Sequence, residues 1–113
     1  MAREQSEQVG VIDNPYWTAP EVLTSGTCTP SMDIWSLGII SIEMVQSKPP
    51  YFDTHPQFAR ELIVAKGTPA LKDPNAFTQD LLHFLSSCLV VNVLERATTS
   101  ELCLVGLPFI LMR

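Results

Sequence analysis

The longest block of apolar side chains lies near the middle of the chain, at residues 32–45. When the block is plotted at a helical period, its apolar positions cover almost every face: 34, 35, 37, 39, 40, 42, 44 and 45. A helix that is apolar all round is a buried helix. The competing interpretation, a buried strand, does not fit the length of the block. We therefore predict a buried helix that ends before Pro49-Pro50, because the residue preceding a proline is pushed out of the α region.

Two weaker patterns follow it. Residues 56–66 have a helical pattern, with Gly67 placed as a C-cap. Residues 77–90 carry apolar side chains on one face and predict an amphipathic helix.

Helix-capping and helix-breaking residues predict the structure near the two ends of the chain. Thr98 and Glu101 fit a capping box, so we predict a last short helix to about residue 105. The prolines and Gly26 within 13–31 indicate irregular chain around one short helical turn at Pro20. Strand alternation is not convincing anywhere, and the predicted fold is all-α: about four helices behind a long irregular N-terminal segment.

Composition narrows the class of protein. The 113 residues suffice for one small core, and the net charge of −5 argues against a nucleic-acid footprint and against a membrane surface. Apolar runs stay below the roughly 18 residues of a membrane-spanning helix. Cys28, Cys88 and Cys103 are odd in number and form no C-x-x-C, which favours a reducing setting. We expect a cytoplasmic protein.

The candidate catalytic residues form no constellation. The five glycines are isolated and cannot build a phosphate-cradling loop. His55 is expected to be solvated in a loop, and His83 and Cys88 do not share a helix face as a nucleophile pair would. Asp73 and Asp80 fit capping or solvation better than paired-carboxylate catalysis. These patterns predict no catalytic, cofactor-binding or metal-binding residue.

An ordered set of short motifs does point to a family. It consists of N-P-Y-W-T-A-P-E (14–21), D-I-W-S-L-G (33–38), K-P-P-Y (48–51) and L-E-R (94–96). This set resembles the C-terminal lobe of a eukaryotic protein kinase, in which A-P-E closes the activation segment. The stretches between the motifs resemble the PAK-type serine/threonine kinases that respond to Rho-family GTPases: E-Q-S (4–6), I-E-M-V (42–45), K-G-T-P-A-L (66–71) and S-E-L (100–102).

The resemblance implies a division of the chain. Residues 1–12 would be a loop or disordered remnant of the activation segment, residues 13–107 a partial kinase-like C-lobe, and residues 108–113 a tail.

The resemblance also implies structural roles. Glu21 of A-P-E would pair with Arg96, and Asp33 and Trp35 would anchor the central helix, Asp33 by accepting hydrogen bonds from catalytic-loop amides. Helix 56–66 would match a docking helix. In kinases, one surface contacts the substrate residue that follows the phosphoacceptor. Here that surface would offer Pro15, Tyr16 and Trp17 for peptide contact.

The departures from the family pattern concern the chemistry. A kinase needs a Gly-rich loop, a strand lysine, a catalytic-loop Asp and Asn, and the D-F-G Asp that holds Mg²⁺, and none of them occurs here. ATP and Mg²⁺ are therefore cofactors by family inheritance only. Gly10 and Val9 stand where the family has a phosphorylatable threonine and its serine neighbour, and Asp13-Asn14 replaces a Gly-Thr pair. Activation by a phosphate at this site is not available.

Three functional interpretations remain open. The first is a truncated PAK-type kinase homologue that lacks phosphotransfer itself. The second is a non-catalytic interaction module or decoy that binds protein partners of PAK-type kinases through the peptide-contact surface and helix 56–66. The third is a gene-model or pseudogene product, suggested by a Met1 inside the activation segment.

A stability prediction accompanies all three interpretations. The apolar helix at 33–45 lacks its family neighbours, so we expect a marginally stable chain that self-associates through exposed apolar surface.

Overall fold

The computed structural model describes residues 14–104. The expectations for residues 1–12, for the altered positions 9, 10 and 13, and for the tail 108–113 lie outside the described residues. Within 14–104 the regular elements are helical and no strand occurs, so the all-α prediction is confirmed. The α-helices are α1 (Pro20–Ser25), α2 (Ser31–Gln46), α3 (Pro56–Lys66), α4 (Gln79–Cys88) and α5 (Thr99–Leu104), with short 3-10 turns at Pro15–Trp17 and Pro74–Ala76.

Helix α2 forms the centre of the fold. Trp35, Ile39 and Ile42 are almost completely buried and pack with Phe84 and Leu85 of α4. The core also includes Ala19 before α1, Phe77 before α4 and Leu102 of α5. Segments before α1, around α4 and in α5 therefore meet on the inner side of α2.

A glycine permits the close approach of α2 to the end of α4. A Cβ atom at Gly38 would lie 2.7 Å from Leu89 Cδ2 and 3.0 Å from Cys88 Cβ. A contact of 2.7 Å does not occur between relaxed side chains, 3.0 Å is tight, and both neighbours are buried. The absence of a side chain at residue 38 thus sets the distance between the two helices.

The helix boundaries follow their caps. Helix α3 spans the predicted residues, and Gly67 follows it with φ 69°. The prediction of a helix over 77–90 is wrong at both ends, because Thr78 Oγ1 accepts the Leu81 N–H (3.1 Å) and starts α4 at Gln79. Phe77 therefore enters the core from extended chain, and α4 ends at Cys88.

The capping box at the last helix is present. Glu101 N–H donates to Thr98 Oγ1 (3.2 Å), and Thr98 N–H donates to Glu101 Oε1 (2.9 Å). The two bonds satisfy backbone donors at the start of α5 reciprocally.

One face of α2 corrects the prediction of a helix buried all round. Ile40 is 43% exposed and Met44, one turn later, is 74% exposed. They lie on the side of α2 opposite the core, and no element among residues 14–104 covers them. The exposed apolar stripe formed by Ile40 and Met44 is called the outer face of α2 below.

Candidate functional site

A buried ion pair joins the two ends of the described chain. Arg96 Nη1 donates to Glu21 Oε2 (2.8 Å), and Nη2 donates to Glu21 Oε1 (2.9 Å). The Arg96 side chain is fully buried and that of Glu21 is 12% exposed. Two parallel charge-assisted hydrogen bonds of this kind are strong and specific in orientation. They fix α1 against the loop that precedes α5.

The remaining donors of Arg96 are also used. Its Nε donates to Val90 O (2.8 Å), Nη1 to Ser31 O (3.0 Å) and Nη2 to Val91 O (3.4 Å). The guanidinium carbon lies 5.2 Å from the centroid of the Trp35 ring, a cation–π distance. Arg96 thus ties the start of α2, the loop after α4 and α1 together at one point.

Titration of the pair depends on its surroundings. Burial raises the pKa of Glu21, but the Arg96 hydrogen bond, a backbone hydrogen bond and the Arg96 charge outweigh it, and the net pKa lies below its ordinary value. Burial raises the pKa of the nearby Cys88 thiol to about 12, against the opposing charge of Arg96. Glu21 is therefore a carboxylate at neutral pH, and Cys88 is an unreactive thiol.

The second part of the site is an aromatic cluster built on the 3-10 turn at Pro15–Trp17. The Tyr16 hydroxyl donates to Thr54 O (2.8 Å), and Trp17 Nε1 donates to Glu43 Oε1 (2.9 Å). Phe52 completes the cluster, with ring centroids 5.2 Å from Tyr16 and 6.3 Å from Trp17. Proline at the first position and these side-chain bonds hold the short turn in place.

The accessibility of this cluster differs from residue to residue. Pro15 and Tyr16 are buried, whereas Trp17 is half-buried and Phe52 is exposed. Phe58 of α3 is 61% exposed, and its ring centroid is 6.2 Å from that of His55, which follows the Thr54 carbonyl that Tyr16 binds. The sequence analysis expected a solvated His55 and assigned Phe58 to the predicted docking helix, but it missed Phe52, which lies in a turn after Pro49-Pro50 without a periodic pattern.

The two predicted anchors of the central helix occupy different environments. Trp35 is buried beneath Arg96, and its Nε1 finds no acceptor among residues 14–104. Asp33 lies in the first turn of α2 and is exposed, with no side-chain cap at that helix end. An exposed carboxylate near a helix N-terminus is favourable towards the helix dipole. The structure therefore gives Asp33 a solvated place rather than a buried one.

The other titratable candidates have local roles. His55 is exposed, and its Nδ1 accepts the Gln57 N–H (3.2 Å) at the start of α3. Asp73 precedes the 3-10 turn at Pro74–Ala76, and Asp80 lies in the first turn of α4. Within residues 14–104 no group of three His, Cys, Asp or Glu side chains lies close enough to hold a metal ion. None of the helices described in this range has the length and hydropathy to span a bilayer.

Comparison with known proteins gives a consistent result. The sequence pattern of the protein kinase domain matches residues 1–105. The chain is 42% identical to the serine/threonine-protein kinase shk2 of Schizosaccharomyces pombe, over 90% of this chain and 17% of that protein. It is 48% identical to the serine/threonine-protein kinase STE20 of Candida glabrata, over 81% of this chain and 10% of that protein.

A third relative gives the same picture. The serine/threonine-protein kinase CLA4 of Saccharomyces cerevisiae is 42% identical over 88% of this chain and 12% of its own length. The chain therefore spans less than a fifth of the length of these relatives.

Proposed function

The chain belongs to the protein kinase domain family, and on that premise we propose that its residues form a substrate-side framework of a PAK-type lower lobe and carry no phosphotransfer themselves. The observation that carries the proposal is the forked Glu21–Arg96 pair, with donor–acceptor distances of 2.8 and 2.9 Å. It holds the segment bearing Pro15, Tyr16 and Trp17 on the core.

The residue types in the sequence support the proposal that the chain carries no phosphotransfer. The groups that position ATP, Mg²⁺ and the attacking hydroxyl in kinases have no counterpart among the 113 residues. Asn14 stands where the family has a threonine hydroxyl beside the catalytic aspartate, and an amide does not supply the same group.

The test is a phosphotransfer assay on the purified 113-residue chain with labelled ATP, Mg²⁺ and a generic serine/threonine substrate. We expect no incorporation above that of a parallel preparation of Arg96→Ala. Incorporation by the unmodified chain that scales with its concentration and is lost in Arg96→Ala would contradict the proposal.

A second function is favoured by the exposed aromatic edge. Phe52 and the half-buried Trp17 form one ring pair, and the exposed Phe58 packs against His55, three residues along the chain from Phe52. Exposed aromatic side chains near one another are typical of protein-contact sites. We propose that this edge binds proteins that PAK-type kinases contact, in a decoy-like or scaffolding role.

Binding by this edge has a matched control on the same helix. Phe58→Ala removes the most exposed ring, whereas Val64→Ala shortens another exposed apolar side chain of α3. We expect Phe58→Ala to weaken capture of a PAK-type kinase substrate by at least about tenfold, and Val64→Ala to change it little. Equal weakening by both variants would mean that the edge is not the contact.

Self-association and a cytoplasmic location complete the proposal. The outer face of α2 supplies exposed apolar surface for self-association. All three cysteines are free thiols, with Cys28 and Cys103 exposed, which suits a reducing compartment.

A further inference from the structure

Lys66 and Lys72 differ from the other cations of residues 14–104, because their side chains have neither an ion pair nor a hydrogen bond with a described residue. Arg96 binds Glu21, Arg60 donates to Leu23 O (2.9 Å), and Lys48 lies 3.1 Å from Asp53. No described side chain pairs with Lys66 or Lys72, although acidic residues outnumber basic ones by 12 to 7 in the whole chain.

Both lysines line the same open groove of about 470 Å³. The groove lies where α2 and α3 end, and its walls contain no carboxylate: Gln46, Pro50, Tyr51, Lys66, Thr68, Ala70 and Lys72. In an acidic protein, a recess lined by two unpaired lysines and by no acid favours an anion.

Two hydrogen bonds hold the walls of the groove. Gln46 Oε1 accepts the Lys72 backbone N–H (3.0 Å), so the Gln46 amide nitrogen keeps its two donors. Thr68 Oγ1 donates to Leu89 O (2.6 Å) and fixes the chain between the two lysines.

Tyr51 has an unusual backbone conformation at the same place. Its φ is +65°, a region that bulky L-residues rarely adopt. Its hydroxyl makes no hydrogen bond to another residue of 14–104, and burial raises its pKa, so the phenol keeps its proton and remains a donor. Strain of this kind is characteristic of functional positions.

The helix ends explain only part of this arrangement. The C-termini of α2 and α3 each carry roughly half a negative charge, and Lys66, in the last turn of α3, complements its own helix. Lys72 belongs to no helix and is placed by Gln46. Two lysine charges against two partial helix charges leave the residues that line the groove with a net positive charge.

We propose that this groove binds a phosphate group, carried on a phosphorylated side chain or as the free ion. A phosphate monoester presents three terminal oxygens and roughly −1.5 to −2 charges, which matches two ammonium groups with amide and phenol donors better than a carboxylate does. The proposal is independent of the function proposed above.

The experiment titrates the ¹⁵N-labelled 113-residue chain with sodium phosphate and, separately, with N-acetyl-O-phosphoserine amide, at constant ionic strength. We expect saturable amide shifts at Gln46, Thr68 and Lys72. Lys72→Gln should weaken binding about tenfold, as expected for one charge-assisted hydrogen bond, and Lys72→Arg should restore most of it. Lys48→Gln removes the same charge outside the groove and should change binding less than about twofold.

Each outcome decides the proposal. Tighter binding of the phosphoserine amide assigns the site to a phosphorylated side chain, and equal binding assigns it to the free ion; both support a phosphate site. Equal weakening by Lys72→Gln and Lys48→Gln, or shifts that do not saturate, would overturn it. A phosphate-dependent rise in the unfolding midpoint that Lys72→Gln abolishes reports the same binding without resolved spectra.

Discussion

The two sides of α2 meet very different surroundings. On the inner side, Trp35 and Arg96 are buried together, and each donor of the guanidinium has an acceptor. On the outer face, Ile40 and Met44 are exposed, although their side chains are as apolar as those of the core residues. The inner side is therefore stabilised by contacts within the chain, whereas the outer face contributes surface that another molecule can cover. Stability and association should respond to different residues of the same helix.

The largest effect is expected at Arg96. Arg96→Ala leaves Glu21 with a largely buried charge and removes the donors that pair with it and with three carbonyl oxygens, so we expect a loss of about 3–5 kcal/mol in the free energy of unfolding. Urea unfolding followed by circular dichroism measures it. A loss below about 1 kcal/mol would mean that the Glu21–Arg96 pair stabilises the fold no more than a surface ion pair does.

The contact at Gly38 comes next. Alanine is the better helix former by about 1 kcal/mol, but its Cβ would meet Leu89 at 2.7 Å, and overpacking typically costs about 1–3 kcal/mol. We expect a net loss of up to about 2 kcal/mol for Gly38→Ala. In a Leu89→Ala background the same change should cost less, because only the 3.0 Å contact with Cys88 Cβ remains. Equal effects in both backgrounds would contradict the packing argument.

Acid should weaken the inner side through Glu21. Its folded-state pKa lies below the unfolded value near 4.5, so the pair contributes stability above that pH and loses it as the pH falls through the folded-state pKa. Between about pH 6 and pH 3, the urea midpoint of the unmodified chain should fall further than that of Glu21→Gln. Parallel decreases in the two proteins would show that other carboxylates govern acid unfolding.

The smallest effect on unfolding is expected on the outer face of α2. Ile40→Ser with Met44→Gln should change the free energy of unfolding by roughly 0.5 kcal/mol or less, since exposed positions contribute little to folding. The same double variant should shift sedimentation towards the monomer. If the sedimentation profile is unchanged, the outer face is not the self-association surface.

The sequence predicted most of the helices because their signals are local. Helix α3 is bounded by Pro56 and Gly67, and both act on the residues beside them. The start of α4 was missed because Thr78 is the N-cap, which excludes Phe77 from the helix.

The site was less accessible to local reasoning. Glu21 and Arg96 are 75 positions apart, and only the family resemblance joined them. The lysine groove was not foreseen either, because Lys66 and Lys72 approach Tyr51 only after the ends of α2 and α3 are brought together.

The hydrogen bonds of Arg96 have a consequence for proton exchange. Its five N–H protons point at five oxygens, on Val90, Ser31, Val91 and twice on Glu21, and its side chain has no contact with solvent. Neither rotation about the Cζ–Nη bonds nor exchange with water can proceed while these bonds hold. The guanidinium protons of Arg96 therefore exchange only when α1, α2 and the loop before α5 separate. Their exchange rate measures how often this part of the core opens.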